Sequence, residues 1–465
     1  MQQSASAPGR RRRIGVSYLY FFGALGGILF GYDLGVISGV LLFIKPLWHL
    51  GSVAQGVVGG CLAAGAVVGA AFAGRITDRW GRRRSIMVAA VVFVVGVLGC
   101  TVAPTFSVLV VARFVTGVAV GCSSATVPTY LSELAPTRVR GALSTLNQLM
   151  IVSGILIAYI IDWALSGAQN WRLMFAIAAI PAVVLFFGLI GMPETPRWLV
   201  RAGRDAEARE VLRQTHRDGD IDAELGSIRE VIRLDTERQG RLRDLLTPWA
   251  RPALAVAMIL AVGQQFAGTN AVNLYAPTMF TDLGLANSGS LLASIVMGAV
   301  KLVFTAWVFV VVDRWGRKPL LLTGNVLMAL ALLLLGAAVL GMGKGPGTGI
   351  VALVLLNLYW VGYELGWGAV VWVMMAEIFP LRVRGVGMGA GSVVLWAATF
   401  AITFLFPVLN DQLGLAYSAW IFAAVSVVLF ALVRRFVPET KGRSLERIEL
   451  DLRARVGRAP GKAAA

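Results

Sequence analysis

Asp78-Arg79-Trp80-Gly81-Arg82-Arg83 returns about half a chain later as Asp313-Arg314-Trp315-Gly316-Arg317-Lys318. Two more phrases repeat at nearly the same interval. Glu133-Leu134-Ala135-Pro136-Thr137-Arg138-Val139-Arg140-Gly141 returns as Glu377-Ile378-Phe379-Pro380-Leu381-Arg382-Val383-Arg384-Gly385, and Pro193-Glu194-Thr195 returns as Pro438-Glu439-Thr440. A near-constant interval across three phrases implies two copies of one unit. Two packed halves provide an interface at which something can be held.

The surroundings of these phrases are strongly apolar. Of the 465 residues 57% are hydrophobic and only 14% charged, with a mean hydropathy of +0.75, more apolar surface than a water-soluble core could hide. The apolar stretches are long enough, at about 1.5 Å per residue, to cross a hydrocarbon core of roughly 30 Å as helices. Twelve are expected, at about 17–43, 53–74, 85–103, 107–130, 141–163, 171–191, 252–280, 289–312, 319–341, 349–376, 385–409 and 414–433. The fold expected is an all-α membrane protein of two six-helix bundles.

The net charge of +17 would suggest nucleic acid in a soluble protein. Here the basic residues fall in alternate loops: Arg10 to Arg13, Arg75 to Arg84, Arg138 and Arg140, and the segment after the sixth span. Loops such as 101–107 carry almost none. That is the positive-inside pattern, which places both termini in the cytoplasm of a cell (inner) membrane protein. No nucleic-acid partner is expected, and the Arg run before the first span reads as the flank of a retained helix rather than a signal peptide. Cys61, Cys100 and Cys122 lie inside spans, so neither a disulfide framework nor a metal site is expected. His49 and His216 have no nucleophile or metal constellation around them, which argues against an enzyme and leaves no catalytic residue to name.

The organisation expected is a tail at 1–16, a first bundle at 17–191, a linker at 192–250, a second bundle at 251–436 and a tail at 437–465. Within the linker, Asp205 to Thr215 and Ile221 to Arg238 set apolar positions among charges at helical spacing, as amphipathic helices do on a membrane face. The linker reads first as a tether, with a gating role as the alternative.

The Asp-Arg-x-Gly-Arg phrases, Pro-Glu-Thr-Pro-Arg-Trp at 193–198 and Pro-Glu-Thr-Lys-Gly-Arg at 438–443 together resemble the sugar porter family of the major facilitator superfamily, in particular its bacterial proton-coupled sugar symporters. The resemblance runs from about Tyr20 to Ile448. It implies inverted three-helix repeats in each half, substrate bound at mid-membrane and alternating access by rocking. It also implies that Asp78, Arg79, Arg82, Glu133, Arg140, Glu194, Asp313, Arg314, Arg317, Glu377, Arg384 and Glu439 form a cytoplasmic gating network. Carboxylates beside Arg at helix ends can make charge-assisted pairs that break on opening; the alternative is charge that only fixes topology.

Asp33 lies well inside the first span, where a bare carboxylate is costly. Arg113 in the fourth span is its candidate partner. Sugar porters that couple to protons carry an Asp and an Arg at these positions, so the resemblance implies proton symport; a static ion pair is the alternative. In the seventh span, Gln264-Gln265-Phe266-Ala267-Gly268-Thr269-Asn270 offers amide donors and acceptors for sugar hydroxyls without net charge. The resemblance marks Gln264, Gln265 and Asn270 as substrate contacts, with Gln148 from the other half; interhelical amide bonding is the alternative. Glu364, Gly368 and Trp372 match the family's pattern in the tenth span, and Trp372 could stack on a pyranose face.

There are departures. Lys301 stands where the family commonly has Asn, Trp396 is followed by Thr399 rather than Asn, Asn273 is an added polar residue, and Ala369 replaces a usual Pro, which predicts a less broken tenth helix. These leave the identity of the sugar open. Lys301 and Glu364 are expected either to pair across the cavity or, with Lys301 reaching toward an aqueous surface, to stay apart. The function expected is import of a monosaccharide or polyol with protons by a monomeric carrier, with no cofactor beyond the coupling ion. A uniporter, a non-transporting sugar sensor and, more remotely, a drug exporter are the alternatives.

Overall fold

The computed structural model describes residues 16–134, 140–215, 220–237, 242–379 and 383–441. The first half comprises α1 (Val16–Leu47), α2 (Ser52–Trp80), α3 (Arg82–Val102), α4 (Phe106–Leu134) and α5 (Arg140–Ser166), then α6 (Trp171–Ile177) and α7 (Ala179–Ile190), which form one span broken at Ala178. Short helices α8 (Pro196–Arg201), α9 (Asp205–Thr215) and α10 (Ile221–Glu237) and a 3-10 turn (Leu242–Leu246) come next. The second half comprises α11 (Arg251–Phe266), α12 (Thr269–Asp282), α13 (Asn287–Trp315), α14 (Arg317–Met342), α15 (Pro346–Tyr363), α16 (Ala369–Ile378) and α17 (Arg384–Phe436). No strand occurs among the described residues.

The helices account for all twelve spans. α11 and α12 make one span, bent at Gly268, whose φ of +100° is a left-handed conformation that only glycine adopts without strain. α15 and α16 are joined by a π-helical turn over Glu364–Gly368, so the tenth span is interrupted even with Ala369 in place of proline. α17 has 53 residues, about 80 Å of helix and too long for one crossing; Gly414, with φ +81° and ψ 165°, divides it into the eleventh and twelfth spans. The linker helices α9 and α10 fall where amphipathic spacing predicts them, whereas α8 and the 3-10 turn carry no such periodic signal.

The repeated phrases have a common physical basis. Gly81 (φ +89°) ends α2 and begins α3; Gly316 (φ +94°) does the same between α13 and α14. A helix N-terminus leaves N–H groups without intrahelical partners. The Glu194 carboxylate accepts from Arg82 N and Arg83 N at 3.0 and 3.2 Å, and Glu439 accepts from Arg317 N and Lys318 N at 3.1 and 3.0 Å. The Pro-Glu-Thr phrase of each half therefore caps that half's Trp-Gly-Arg corner, with a negative charge at the positive end of the helix dipole.

Close packing inside each half uses small residues, as helices in lipid do. Gly65 and Gly69 of α2 lie against the Phe114 and Val118 carbonyls of α4, while Gly117 and Gly121 of α4 lie against the Leu62 and Ala66 carbonyls of α2. Both helices approach closely enough that an added methyl on either would strike backbone.

Candidate transport site

Asp33 and Arg113 are brought together from α1 and α4. Arg113 Nη1 lies 3.1 Å from Asp33 Oδ1, and both side chains are almost wholly excluded from solvent. Asp33 Oδ2 accepts no hydrogen bond. The Arg113 guanidinium also stands 5.8 Å from the Phe175 ring centroid. Breaking a buried pair of this kind by removing one partner typically costs about 3–5 kcal/mol, since the other charge is stranded.

Arg113 also lines a small cavity between the halves. Asn270, Asn273, Thr399 and Thr403 supply the other polar groups, and Leu34, Ile37 and Leu62 part of the apolar wall. The space holds little more than a water molecule, so a sugar ring enters only when the halves part.

Behind Asn270 the amides form a chain. Asn270 Nδ2 donates to Gln265 Oε1 at 2.5 Å, Gln265 Nε2 to Gln264 Oε1 at 3.3 Å, and Gln264 Nε2 to the Trp367 carbonyl at 2.8 Å. Gln264 thus spends an amide donor on the tenth span. Asn273 uses its carbonyl to accept from Tyr159 Oη of α5 at 2.9 Å and its Oδ1 to accept from Lys301 Nζ at 3.5 Å. Lys301 Nζ lies 3.9 Å from Glu364 Oε1 and 4.0 Å from the Trp360 ring centroid. Lys301 is buried among these groups and does not reach toward water. Gly368 makes room for the carboxylate: a Cβ there would meet Glu364 Oε2.

Trp396 is buried and packs edge to face on Phe30 of the first half, with centroids 5.6 Å apart. Trp372 departs from expectation: it is 38% exposed and lies outside the cavity lining, whereas Trp367 is the buried ring, donating to Asn325 Oδ1 at 3.2 Å. The π turn accounts for this, because an extra residue in a helical turn rotates every later side chain about the axis. Gln148 is half-buried and not in the lining.

At the Arg-rich face the charges divide into two groups. In the first half Arg82 lies 3.2 Å from Glu133 and 3.8 Å from Asp78, which also pairs with Arg201 of α8 at 2.9 Å. In the second, Arg317 lies 3.6 Å from Glu377, and Arg384 donates to the Phe379 carbonyl at 3.4 Å. Arg79 and Arg314 are exposed; the side chains of Arg140 and Asp313 lie outside the described residues. The ion pairs described at this face stay within one half.

Contacts between halves gather on the other side. Tyr275 Oη donates to Gln55 O of α2 at 3.2 Å and to Thr403 O at 2.9 Å, and Gly56 abuts the Phe404 carbonyl. Neither Tyr159 nor Asp162 was singled out by sequence, though Asp162 is a buried carboxylate that accepts from Gly39 N at 3.1 Å. An acidic residue inside the end of an apolar span was the available signal.

Residues 19–452 match the family model described as "Sugar (and other) transporter". The chain belongs to the sugar transporter family. This family is one of carriers rather than enzymes. Among its members the putative metabolite transport protein YwtG of Bacillus subtilis is 44% identical over 95% of this chain and 96% of its own. The D-xylose transporter of Levilactobacillus brevis is 40% identical over 96% of this chain and 98% of its own. The xylose transporter XylE from E. coli, solved in a partially occluded inward-open conformation, superimposes with a TM-score of 0.81 at 29% identity over 92% of this chain and 99% of that one. Bound to 6-bromo-6-deoxy-D-glucose, XylE is described as a major facilitator superfamily proton:xylose symporter, and matches with a TM-score of 0.79 at 31% identity over 94% and 99%. These matches extend over both halves, and the chain is a multi-pass membrane transporter of the major facilitator fold.

Proposed function

We propose that this sugar transporter family member imports a neutral monosaccharide or polyol together with a proton, as a monomer in a cell membrane with both termini cytoplasmic. The proton is the coupling ion, and no other cofactor is required. The observation that carries this reading is the Asp33–Arg113 pair, buried beside a cavity that Arg113 itself lines. Relatives named as a xylose transporter and a proton:xylose symporter support it.

A proton added to Asp33 cancels its charge and loosens its hold on Arg113. The guanidinium can then turn toward the cavity, where a sugar oxygen accepts from it. Loss of the proton restores the pair and withdraws that donor. Sugar and proton thereby favour each other's binding, as linkage requires. Asn270, Asn273 and Thr399 hold hydroxyls from the second half while the first half carries the proton site. Closure beyond the cavity is supplied by Tyr275 against Gln55.

Asp33→Asn keeps the shape and removes the titratable group. Proteoliposomes carrying it should lose uphill sugar uptake under an inward proton gradient, while equilibrium counterflow stays within about threefold of the unsubstituted protein. Uphill uptake that survives the substitution would remove proton coupling and leave the uniporter.

A further inference from the structure

Lys301 and Glu364 form a second buried charge pair, in the half that does not contain Asp33. Their placement is unusual in three respects. The ammonium is 3.9 Å from the carboxylate, beyond a normal hydrogen bond. The Glu364 side chain is fully buried, and neither of its oxygens is in normal hydrogen-bond geometry with a donor, the nearby Thr305 hydroxyl donating instead to the Lys301 carbonyl at 2.8 Å. The ammonium's remaining contacts are a long one to Asn273 Oδ1 at 3.5 Å and the face of Trp360. Asn273 is itself part of the cavity wall. The charge on Lys301 thus sits one amide away from where a sugar would lie, matched by a carboxylate it does not grip.

We propose that Lys301 and Glu364 together set the charge specificity of the cavity. With Asp33 opposite Arg113 and Glu364 opposite Lys301, the two cations near the cavity are each matched by one buried carboxylate. In the second half the two charges cancel, so the wall behind Asn273 presents no net charge and accepts uncharged sugars and polyols, while a sugar acid or an amino sugar finds no partner there in a low-dielectric space. Changing either member moves the balance in a known direction. Glu364→Gln leaves the Lys301 ammonium unmatched, 3.5 Å from a wall residue, and creates an attraction for a carboxylate on the ligand. Lys301→Met leaves the Glu364 carboxylate unmatched and favours a ligand ammonium. The double substitution returns this wall to no net charge.

This inference rests on the sugar-carrier reading, and the test separates the two. The purified full-length chain is titrated with D-glucose, D-xylose, myo-inositol, D-glucuronate and D-glucosamine, and binding is read as the rise in Tm. The unsubstituted protein should respond to at least one neutral ligand and to neither charged one. Glu364→Gln should gain a response to D-glucuronate on the order of 2 °C or more at saturation. Lys301→Met should gain one to D-glucosamine, and Lys301→Met with Glu364→Gln should show neither. If one single variant does not fold, the other still decides. A charged ligand that already binds the unsubstituted protein, or variants whose response to both charged ligands is unchanged, overturns the charge-matching role. Silence of the unsubstituted protein toward every neutral ligand, with the gains present in the variants, counts instead against the sugar reading.

Discussion

At the residue scale, polar groups of one chemical type divide into those that face the cavity and those that hold helices together. Asn270 lines the cavity and donates only to another amide, whereas Gln264 spends its donor on the Trp367 carbonyl. Asn270→Ala should therefore raise the KM for sugar roughly 5- to 10-fold, the worth of one neutral hydrogen bond, and also lower Tm, since the buried Gln265 oxygen loses its donor. Gln264→Ala should act on stability alone, leaving a buried carbonyl unsatisfied at a cost of about 1–3 kcal/mol while moving KM less than about twofold. Parallel counterflow kinetics and thermal melts distinguish the two. Asp33 and Arg113 were legible in sequence because an ionisable residue inside a span is conspicuous. Which of the clustered amides faces the cavity was not, since Gln264 and Gln265 are adjacent and their orientation depends on the neighbouring helix. Trp372 lies outside the cavity lining for a related reason: the π turn at Glu364–Gly368 rotates the rest of the tenth span about its axis, and hydropathy does not register a one-residue insertion in a turn.

At the element scale, each half carries a glycine corner capped by a distant glutamate. Burial pushes the Glu439 carboxyl up, but N–H groups of Lys441, Arg317, Lys318 and Thr440 outweigh that and hold it below the usual carboxylate range. Stability from this cap is present above the ordinary glutamate range and is lost as pH falls through the lowered value. Hydrogen-exchange protection at the first amides of α14 should therefore hold at neutral pH and decline on acidification below about pH 4. Glu439→Gln should lower that protection at neutral pH and flatten its dependence on acid. Glu194 makes the same contacts in the first half, but there burial prevails over the Thr195, Arg83 and Arg82 N–H donors and the Arg82 charge, and its carboxyl lies above the usual range. The sequence displayed both caps as repeats, which is why the duplication was readable before the reason for it was. The breaks at Ala178 and Gly414 differ in legibility: a glycine just after the polar run Asn410-Asp411-Gln412 signals a turn, while an alanine within an apolar run signals nothing.

At the scale of the whole molecule, the twelve spans and the division into halves followed from length, hydropathy and charge placement. The relation of the halves did not, because it depends on tertiary packing of α1, α2 and α5 against α12, α13 and α17. Tyr275, Gln55, Gly56 and Phe404 close the side away from the Arg-rich phrases, where the ion pairs described each lie within one half. Gly56→Leu places a side chain against the Phe404 carbonyl and should hold this side apart. The variant should still bind sugar from outside but lose counterflow by at least about tenfold, and a labelled cysteine near Gln55 should become more accessible. Retained counterflow would mean that this seam does not have to close. The central claim is that sugar and proton move together through one buried pair, and the most direct test is proton flux evoked by sugar. With lightly buffered proteoliposomes and no imposed gradient, adding a transported sugar outside should alkalinise the medium in proportion to uptake, and the Asp33→Asn protein should take up sugar without any such change. Sugar uptake by the unsubstituted protein that leaves the external pH unmoved would contradict the account.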